Sequence, residues 1–365
     1  MSLLWNPFRL GPLTLRNRLV MAPISTGLAT AEGLCTEDQI SFYRERAGSA
    51  GLIILEPGVV EPSGRLFRYS LGLWNEDQAR RLARLVAEIK KKGAAVIIQL
   101  CHSGPRTRAE IAGAIRPAPS EQRFFFDEPV EPLSRDGIFR LKEHFRQAAR
   151  RAVAAGCEGV EVHAAHFYLL SAFLSPLTNT RRDDYGQTTE GRARIVSEIL
   201  QEIRQEVGRG VILGVRYHGW EPPGGVDAEL AGEYAKIFAQ AGADYLSISA
   251  FINPAPALQG KALVPASSAP DKSFPPGCYR PWIRAVKRTV NLPVIGVGKL
   301  DEPEEAEAAL SSNDCDLVAV GRGFIADPHW PENAQAGNRR RKCKYCNYCL
   351  TTLTRGKLQC VQDVH

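Results

Sequence analysis

Short apolar runs alternate with amphipathic stretches along most of this chain, and eight of the runs share one character. LVMAPI, GLIILEPGVV, AAVIIQLCH, GVEVHA, VILGVRYHG, ADYLSISA, LPVIGVGK and DLVAVGR are apolar nearly throughout, not at every second residue. A strand of that kind is covered on both faces, as in a parallel sheet flanked by helices. The intervening stretches supply the helices. NEDQARRLARLVAEIKKKG, from Asn75 to Gly93, and DAELAGEYAKIFAQAG, from Asp227 to Gly242, read as helical patterns that end in glycine, the usual left-handed C-cap. Thr36 to Gln39 has the spacing of a capping box that opens another helix. Eight such repeats favour closure into an α/β fold of the (β/α)8 TIM-barrel type.

Two stretches break the rhythm: residues 103–135, rich in Pro and Arg, and 251–276, rich in Pro, Ala and Ser. Loops of that length serve as functional lids or as flexible filler. After about residue 330 the pattern stops, so the expected division is a barrel over 1–330 and an appended cysteine-rich, metal-binding tail over 331–365. A chain of 365 residues, 44% hydrophobic, has room for one barrel of ~250 residues plus extras.

Basic and acidic residues number 46 and 40, and they intermingle except at Arg339, Arg340, Arg341 and Lys342. That balance gives no reason to expect nucleic acid; the basic run reads as a solvated tail or as a contact for a phosphate or an acidic partner. No run reaches the ~18 apolar residues of a membrane span, and MSLLWNPFRL lacks the layout of a signal peptide. A cytoplasmic protein with no membrane partner is therefore expected. Of nine cysteines, five are scattered, whereas Cys343, Cys346, Cys349 and Cys360 crowd the C-terminus. In a reducing compartment such crowding suggests metal more than disulfides.

The chemistry concentrates in GVEVHAAHFYLLSAFLSPLTNTRRDDYG, residues 159–186, where an apolar run delivers His163, His166 and Tyr168 almost together. Two imidazoles and a phenol at the C-terminal end of a barrel strand are tools for binding an oxygen and moving a proton, so an enzyme is the first expectation. Gly298 with Lys299, and Gly321 with Arg322, end the seventh and eighth runs. Barrels commonly build a phosphate site there from exposed amides, and a cation beside each adds charge-assisted hydrogen bonds. Gly321, Gly323 and Ala326 also match the loose dinucleotide fingerprint GxGxxA. A Rossmann domain is set aside, because the run is the last strand and Arg and Lys stand where a ribose-binding acid belongs.

These segments, with NRLVMAPIST, IIQLCHSG, RPAPS and DLVAVGRGFIADP, carry a resemblance. Over nearly its whole length the chain resembles the old yellow enzyme family of flavin-dependent oxidoreductases. The resemblance implies non-covalent FMN at the barrel mouth. Ala22, Pro23, Ile24 and Ser25 would line one side of the isoalloxazine, Gln99 would bond its pyrimidine edge, and Arg216 would sit near N1. Gly298, Gly321 and Arg322, with Lys299 alongside, would hold the phosphate. His163 and His166 would grip a substrate carbonyl, and Tyr168 would protonate the α-carbon. Reduced FMN gathers negative charge near N1 and O2, which an arginine stabilises. Two departures stand out. Phe167 occupies the place where relatives usually have glycine, and Ser25 followed by Thr26 replaces the Cys, Thr or His of relatives, leaving open which hydroxyl tunes the flavin.

The tail, Cx2Cx2C with a fourth cysteine further on, resembles the iron–sulfur motif of the trimethylamine dehydrogenase and 2,4-dienoyl-CoA reductase branch, although the last interval is a residue or two shorter. That likeness implies a [4Fe-4S] cluster on Cys343, Cys346, Cys349 and Cys360; four thiolates also suit tetrahedral zinc, and bare thiols are the third option. Members of the branch continue into a module for FAD and nicotinamide, whereas this chain ends five residues after Cys360, so a separate electron-transfer protein is expected. The leading functional reading is an ene-reductase that uses NAD(P)H and FMN on an unsaturated carbonyl substrate. A dehydrogenase of an amine or similar donor, feeding a partner through the cluster, is second; no aromatic cage for an alkylammonium is evident. A non-catalytic flavin or iron–sulfur sensor is third, and the intact His/His/Tyr set argues against it. Homo-oligomerisation is left open.

Overall fold

The eight apolar runs form one closed barrel in the computed structural model, which describes residues 2–113, 116–121, 128–252 and 269–364. Its strands are β1 (Leu19–Met21), β2 (Leu52–Val59), β3 (Ala95–Cys101), β4 (Gly159–Ala164), β5 (Ile212–His218), β6 (Tyr245–Ser249), β7 (Val294–Gly296) and β8 (Leu317–Val320). Each pairs in parallel with its neighbours in chain order, and β8 closes on β1. The crossovers run through α1 (Glu37–Arg46), α2 (Glu76–Lys90), α3 (Arg135–Ala154), α4 (Thr189–Val207), α5 (Ala228–Gln240), α6 (Arg280–Lys287) and α7 (Pro303–Ser311).

Continuous apolarity has its reason here, since every residue of β4, β5 and β6 is buried. Side chains pointing inward fill the barrel with Val20, Ile54, Ile97, Ile212, Tyr245 and their neighbours. Those pointing outward meet helix faces such as Leu82, Leu85, Val86 and Ile89 of α2. A hairpin, Phe8–Leu10 with Leu13–Leu15, inserts Leu10 and Leu15 among the first residues of the strands and so floors the barrel. Gly93 and Gly242 take the left-handed conformation just beyond α2 and α5. The capping box at Thr36 is only half formed. Thr36 accepts the Gln39 N–H, but the buried Gln39 amide donates to Glu56 at 2.7 Å instead of returning to the cap. Asn75 and Gln78 make the reciprocal box at α2.

Of the two irregular stretches, the first is fastened by buried Arg116, which donates to the carbonyls of Pro105 and Thr107. Most of the second, 253–268, lies outside the described residues. The C-terminal segment lies across the mouth of the barrel. Its helix Tyr348–Thr354 is followed by Leu358, whose N–H donates to Thr26 O at 2.8 Å. The basic run anchors it: Arg340 and Lys342 pair with Glu302, and Arg341 pairs with Asp363. Among the described residues no helix is long and apolar enough to cross a membrane.

Candidate active site

Strand register assembles the first part of the site. β3 and β4 set Gln99 beside Glu161, and β4 and β5 set His163 beside Arg216. Glu161 is fully buried and accepts from Gln99 Nε2 at 2.7 Å and from the Tyr245 hydroxyl at 3.0 Å. Burial pushes its carboxyl up, against the pull of the Arg216 charge. Burial likewise draws the Arg216 guanidinium down, with Glu161 supporting the cation. Arg216 thus has the carboxylate neighbour of a structural arginine, yet its Nε is buried with no hydrogen-bond partner among the described residues. That combination leaves a donor aimed at something else.

β4 then ends, and the chain reaches Tyr168 through two left-handed residues, His166 at φ 65° and Phe167 at φ 55°. Glycine adopts that conformation at little cost, whereas a β-carbon makes it unfavourable. The glycine expected from relatives is therefore absent while the conformation it would favour is kept. The turn brings the rings together: His163 lies 4.9 Å from both His166 and Tyr168, edge to face. His163 Nδ1 accepts the Ala165 N–H at 3.3 Å, so its proton resides on Nε2, free to donate. His166 Nε2 is engaged with Ser249 Oγ at 2.9 Å. Burial holds both imidazoles well below their ordinary range, and the Arg216 charge adds to it, so both are neutral. Burial raises the Tyr168 phenol, which Arg106 partly offsets. The phenol is protonated throughout the neutral range.

One cavity at the strands' C-terminal ends is lined by Gln99, His163, His166, Tyr168 and Arg216 together with Ala22, Pro23, Ile24 and Ser25 from the end of β1. Gly298, Lys299, Gly321 and Arg322 line it from the ends of β7 and β8. Ser25 faces the cavity, whereas Thr26 is fully buried and committed to Glu56, through its hydroxyl at 2.6 Å and its N–H at 3.2 Å. The hydroxyl available to a ligand is that of Ser25.

The C-terminal segment adds a wall. Tyr345, Leu350, Leu353 and Leu358 line the same cavity. The Tyr345 ring lies 4.0 Å from Lys299 Nζ and 4.9 Å from the Arg322 guanidinium, and its hydroxyl donates to Asp301. Cys343, Cys349 and Cys360 pack around Ile325 and Ala326. Among the described residues, however, no three His, Cys, Asp or Glu side chains are placed to hold a metal ion. The four cysteines expected as one ligand set, Cys343, Cys346, Cys349 and Cys360, form no disulfide, and of them only Cys346 is exposed.

Sequence reasoning missed Glu161, Glu56, Arg106, His218, Glu221 and Tyr345. A lone acid inside the apolar run GVEVHA was a readable signal for Glu161. Tyr345 gave none.

A family model described as the NADH:flavin oxidoreductase / NADH oxidase family matches residues 3–341. A protein named NADH oxidase from Thermoanaerobacter brockii is 36% identical over 94% of this chain and 52% of its own length. An NADPH dehydrogenase of Geobacillus thermodenitrificans (strain NG80-2) is 32% identical over 90% of this chain and 93% of its own. Among solved structures, a 2-naphthoyl-CoA reductase in complex with 2-naphthoyl-CoA superimposes with a TM-score of 0.91 at 26% identity, covering 98% of this chain and 56% of that one. The chain thus spans about half the length of the first and third of these.

Proposed function

The chain belongs to the NADH:flavin oxidoreductase / NADH oxidase family; on that premise we propose that it is a flavin-dependent oxidoreductase that reduces the activated C=C bond of an unsaturated carbonyl compound, with FMN as cofactor and NAD(P)H as reductant. The residues present fit FMN. The unpartnered Arg216 Nε offers a buried donor to the anionic pyrimidine edge, and the Gln99 carbonyl, its amide being held by Glu161, offers an acceptor. Ala22, Pro23, Ile24 and Ser25 would bound one side of the ring. Lys299 and Arg322, with the backbone at Gly298 and Gly321, would receive the phosphate. What FMN supplies when bound is two-electron transfer from NAD(P)H to the β-carbon of the alkene.

The protein's own groups do the rest. In this reading His163 donates from Nε2 to the carbonyl oxygen, where negative charge develops as the β-carbon takes up its hydride, and His166 flanks it. Neutral imidazoles suit the role, because they stabilise the charge without surrendering a proton. Tyr168 carries the proton for the α-carbon, and its raised pKa keeps that proton in place until a carbanion forms. The observation that carries the proposal is the convergence of His163, His166 and Tyr168 on the cavity that Arg216, with its orphaned donor, also lines.

The same proposal takes 331–365 as a cap on a barrel of 1–330 and places the chain in the iron–sulfur branch. The 2-naphthoyl-CoA reductase match covers 98% of the chain and so reaches into the C-terminal segment, where the family model stops at 341, which supports the cap. Four crowded cysteines are the right donors for a [4Fe-4S] cluster or zinc. Among the described residues no three of them stand in a metal-ligand geometry.

Mixing chemically reduced, oxygen-free FMN-loaded protein with a simple α,β-unsaturated ketone tests the reaction. The proposal expects rapid return of the oxidised flavin absorbance and one saturated product per flavin. A flavin that stays reduced would overturn it, and would point instead to oxidation of an amine-like donor with electron exit to a separate protein.

A further inference from the structure

Two consecutive left-handed residues that are not glycine are unfavourable, and such a turn persists only where its surroundings over-determine it. Here the turn is His166–Phe167, and Tyr168 follows at once. The groups that hold it come from β5, one strand away. His218 Nε2 accepts the His166 main-chain N–H at 2.7 Å. An accepting Nε2 puts the imidazole proton on Nδ1, which then donates to Glu221 Oε1 at 2.8 Å. The other Glu221 oxygen accepts from the Ser175 hydroxyl at 2.5 Å and from the Val226 N–H at 3.1 Å. Both His218 and Glu221 are buried, with side chains 1% exposed, so no water competes for these bonds. On the other side, the Phe167 ring packs 4.6 Å from Phe251 and 5.5 Å from His218, and its N–H donates to Ser171 Oγ at 3.1 Å.

We propose that Glu221 and His218 are positioning residues for the reaction: Glu221 fixes the tautomer of His218, His218 holds the His166 N–H, and that bond keeps the strained turn that aims Tyr168 and His166 into the cavity. The proposal rests on the substrate-facing reading of those two side chains. Glycine at position 167 would need less external support for the left-handed conformation, so the relay compensates for the bulky Phe167 of this chain. The Glu–His pair makes no contact with the reacting atoms. Its role is to set one backbone hydrogen bond.

The test is a double-mutant cycle on the FMN-loaded full chain, with Phe167→Gly, His218→Phe and the pair. His218→Phe keeps a ring in place and removes the acceptor. It should slow reduction of a simple unsaturated ketone roughly 10- to 100-fold in kcat, as misplaced catalytic groups do, while the rate of flavin reduction by NAD(P)H stays near that of the parent. Adding Phe167→Gly should restore the ketone rate to that of Phe167→Gly alone, because glycine keeps the turn without the acceptor. Losses that multiply independently would overturn the relay. Amide hydrogen exchange across residues 165–169 separates this idea from the proposed reaction, since it needs no turnover. His218→Phe should speed exchange there, and unchanged exchange would overturn the relay even if ketone reduction is confirmed. If the parent protein does not reduce the ketone, the exchange data alone decide. Should His218→Phe not fold, Glu221→Leu makes the same cut one step earlier, with the same expected rescue by Phe167→Gly.

Discussion

The two ends of this barrel are built from opposite materials. At the floor, Leu10 and Leu15 of the hairpin meet the apolar side chains of Leu52, Ile212 and Leu317. At the mouth stand buried Glu161 and Arg216, two neutral histidines, and the left-handed residues His166, Phe167 and Lys299. The floor contributes burial, which is non-directional and stabilising. The mouth contains groups that burial disfavours and that the fold holds in place through specific hydrogen bonds. A barrel can keep such groups because the rest of its length is apolar. Stability and chemistry are therefore separable by position along the strands.

The sharpest way to break that separation is at the floor. Leu15→Ala should cost about 2–5 kcal/mol in chemical denaturation and leave the ketone rate per folded flavin site unchanged. A rate loss comparable to the stability loss would show that the two ends are coupled. At the mouth, Arg216→Lys keeps a cation near Glu161 but loses the fixed Nε donor. FMN should dissociate roughly ten- to hundredfold more readily, equivalent to about 1.5–3 kcal/mol for a hydrogen bond to a charged group, as read by flavin fluorescence. Unchanged affinity would mean the orphaned donor is not a flavin contact.

A smaller effect distinguishes the ends by pH. His163 and His166 have folded pKa values below the unfolded value of about 6.5, so the unfolded chain binds protons that the folded chain refuses. Their stability contribution is full above that pH and is lost as pH falls beneath it, by up to about 1.4 kcal/mol per pH unit for each histidine. Glu161 and Glu56 shift upward and act in the opposite sense, so the comparison is with a His163→Asn, His166→Asn variant. That variant should lose stability less steeply between pH 6.5 and 5. Parallel slopes would contradict the neutral assignment.

The floor and the strands were legible because their signal is local. Each strand is apolar throughout, and the period and length of the runs do not depend on distant residues. The mouth was legible only in part. The site residues at the strand ends, such as Gln99, His163, Arg216 and Gly321, stand in motifs whose order along the chain carried the resemblance, and all four line one cavity. What held them in place was not legible. Gln39 abandons its cap for Glu56, 17 residues away, and Phe167 stays left-handed beside a histidine 52 residues from the bond it receives. Contacts of that range have no sequence period. The Cys343–Cys360 segment shows the converse. Its spacing was conspicuous, yet among the described residues no three of its thiols stand in a ligand geometry, while the unremarked Tyr345 beside them enters the cavity.

The account's central claim is that the mouth adds hydride and proton to a C=C bond through separate groups, with Tyr168 the proton donor. Rapid mixing of Tyr168→Phe tests it most directly, with the two half-reactions measured apart. Flavin reduction by NAD(P)H should match the parent rate, while reoxidation by an unsaturated ketone slows by roughly 10²–10⁴-fold. Equal loss in both half-reactions, or none in either, would contradict the proton-donor role and with it the division of labour at the mouth.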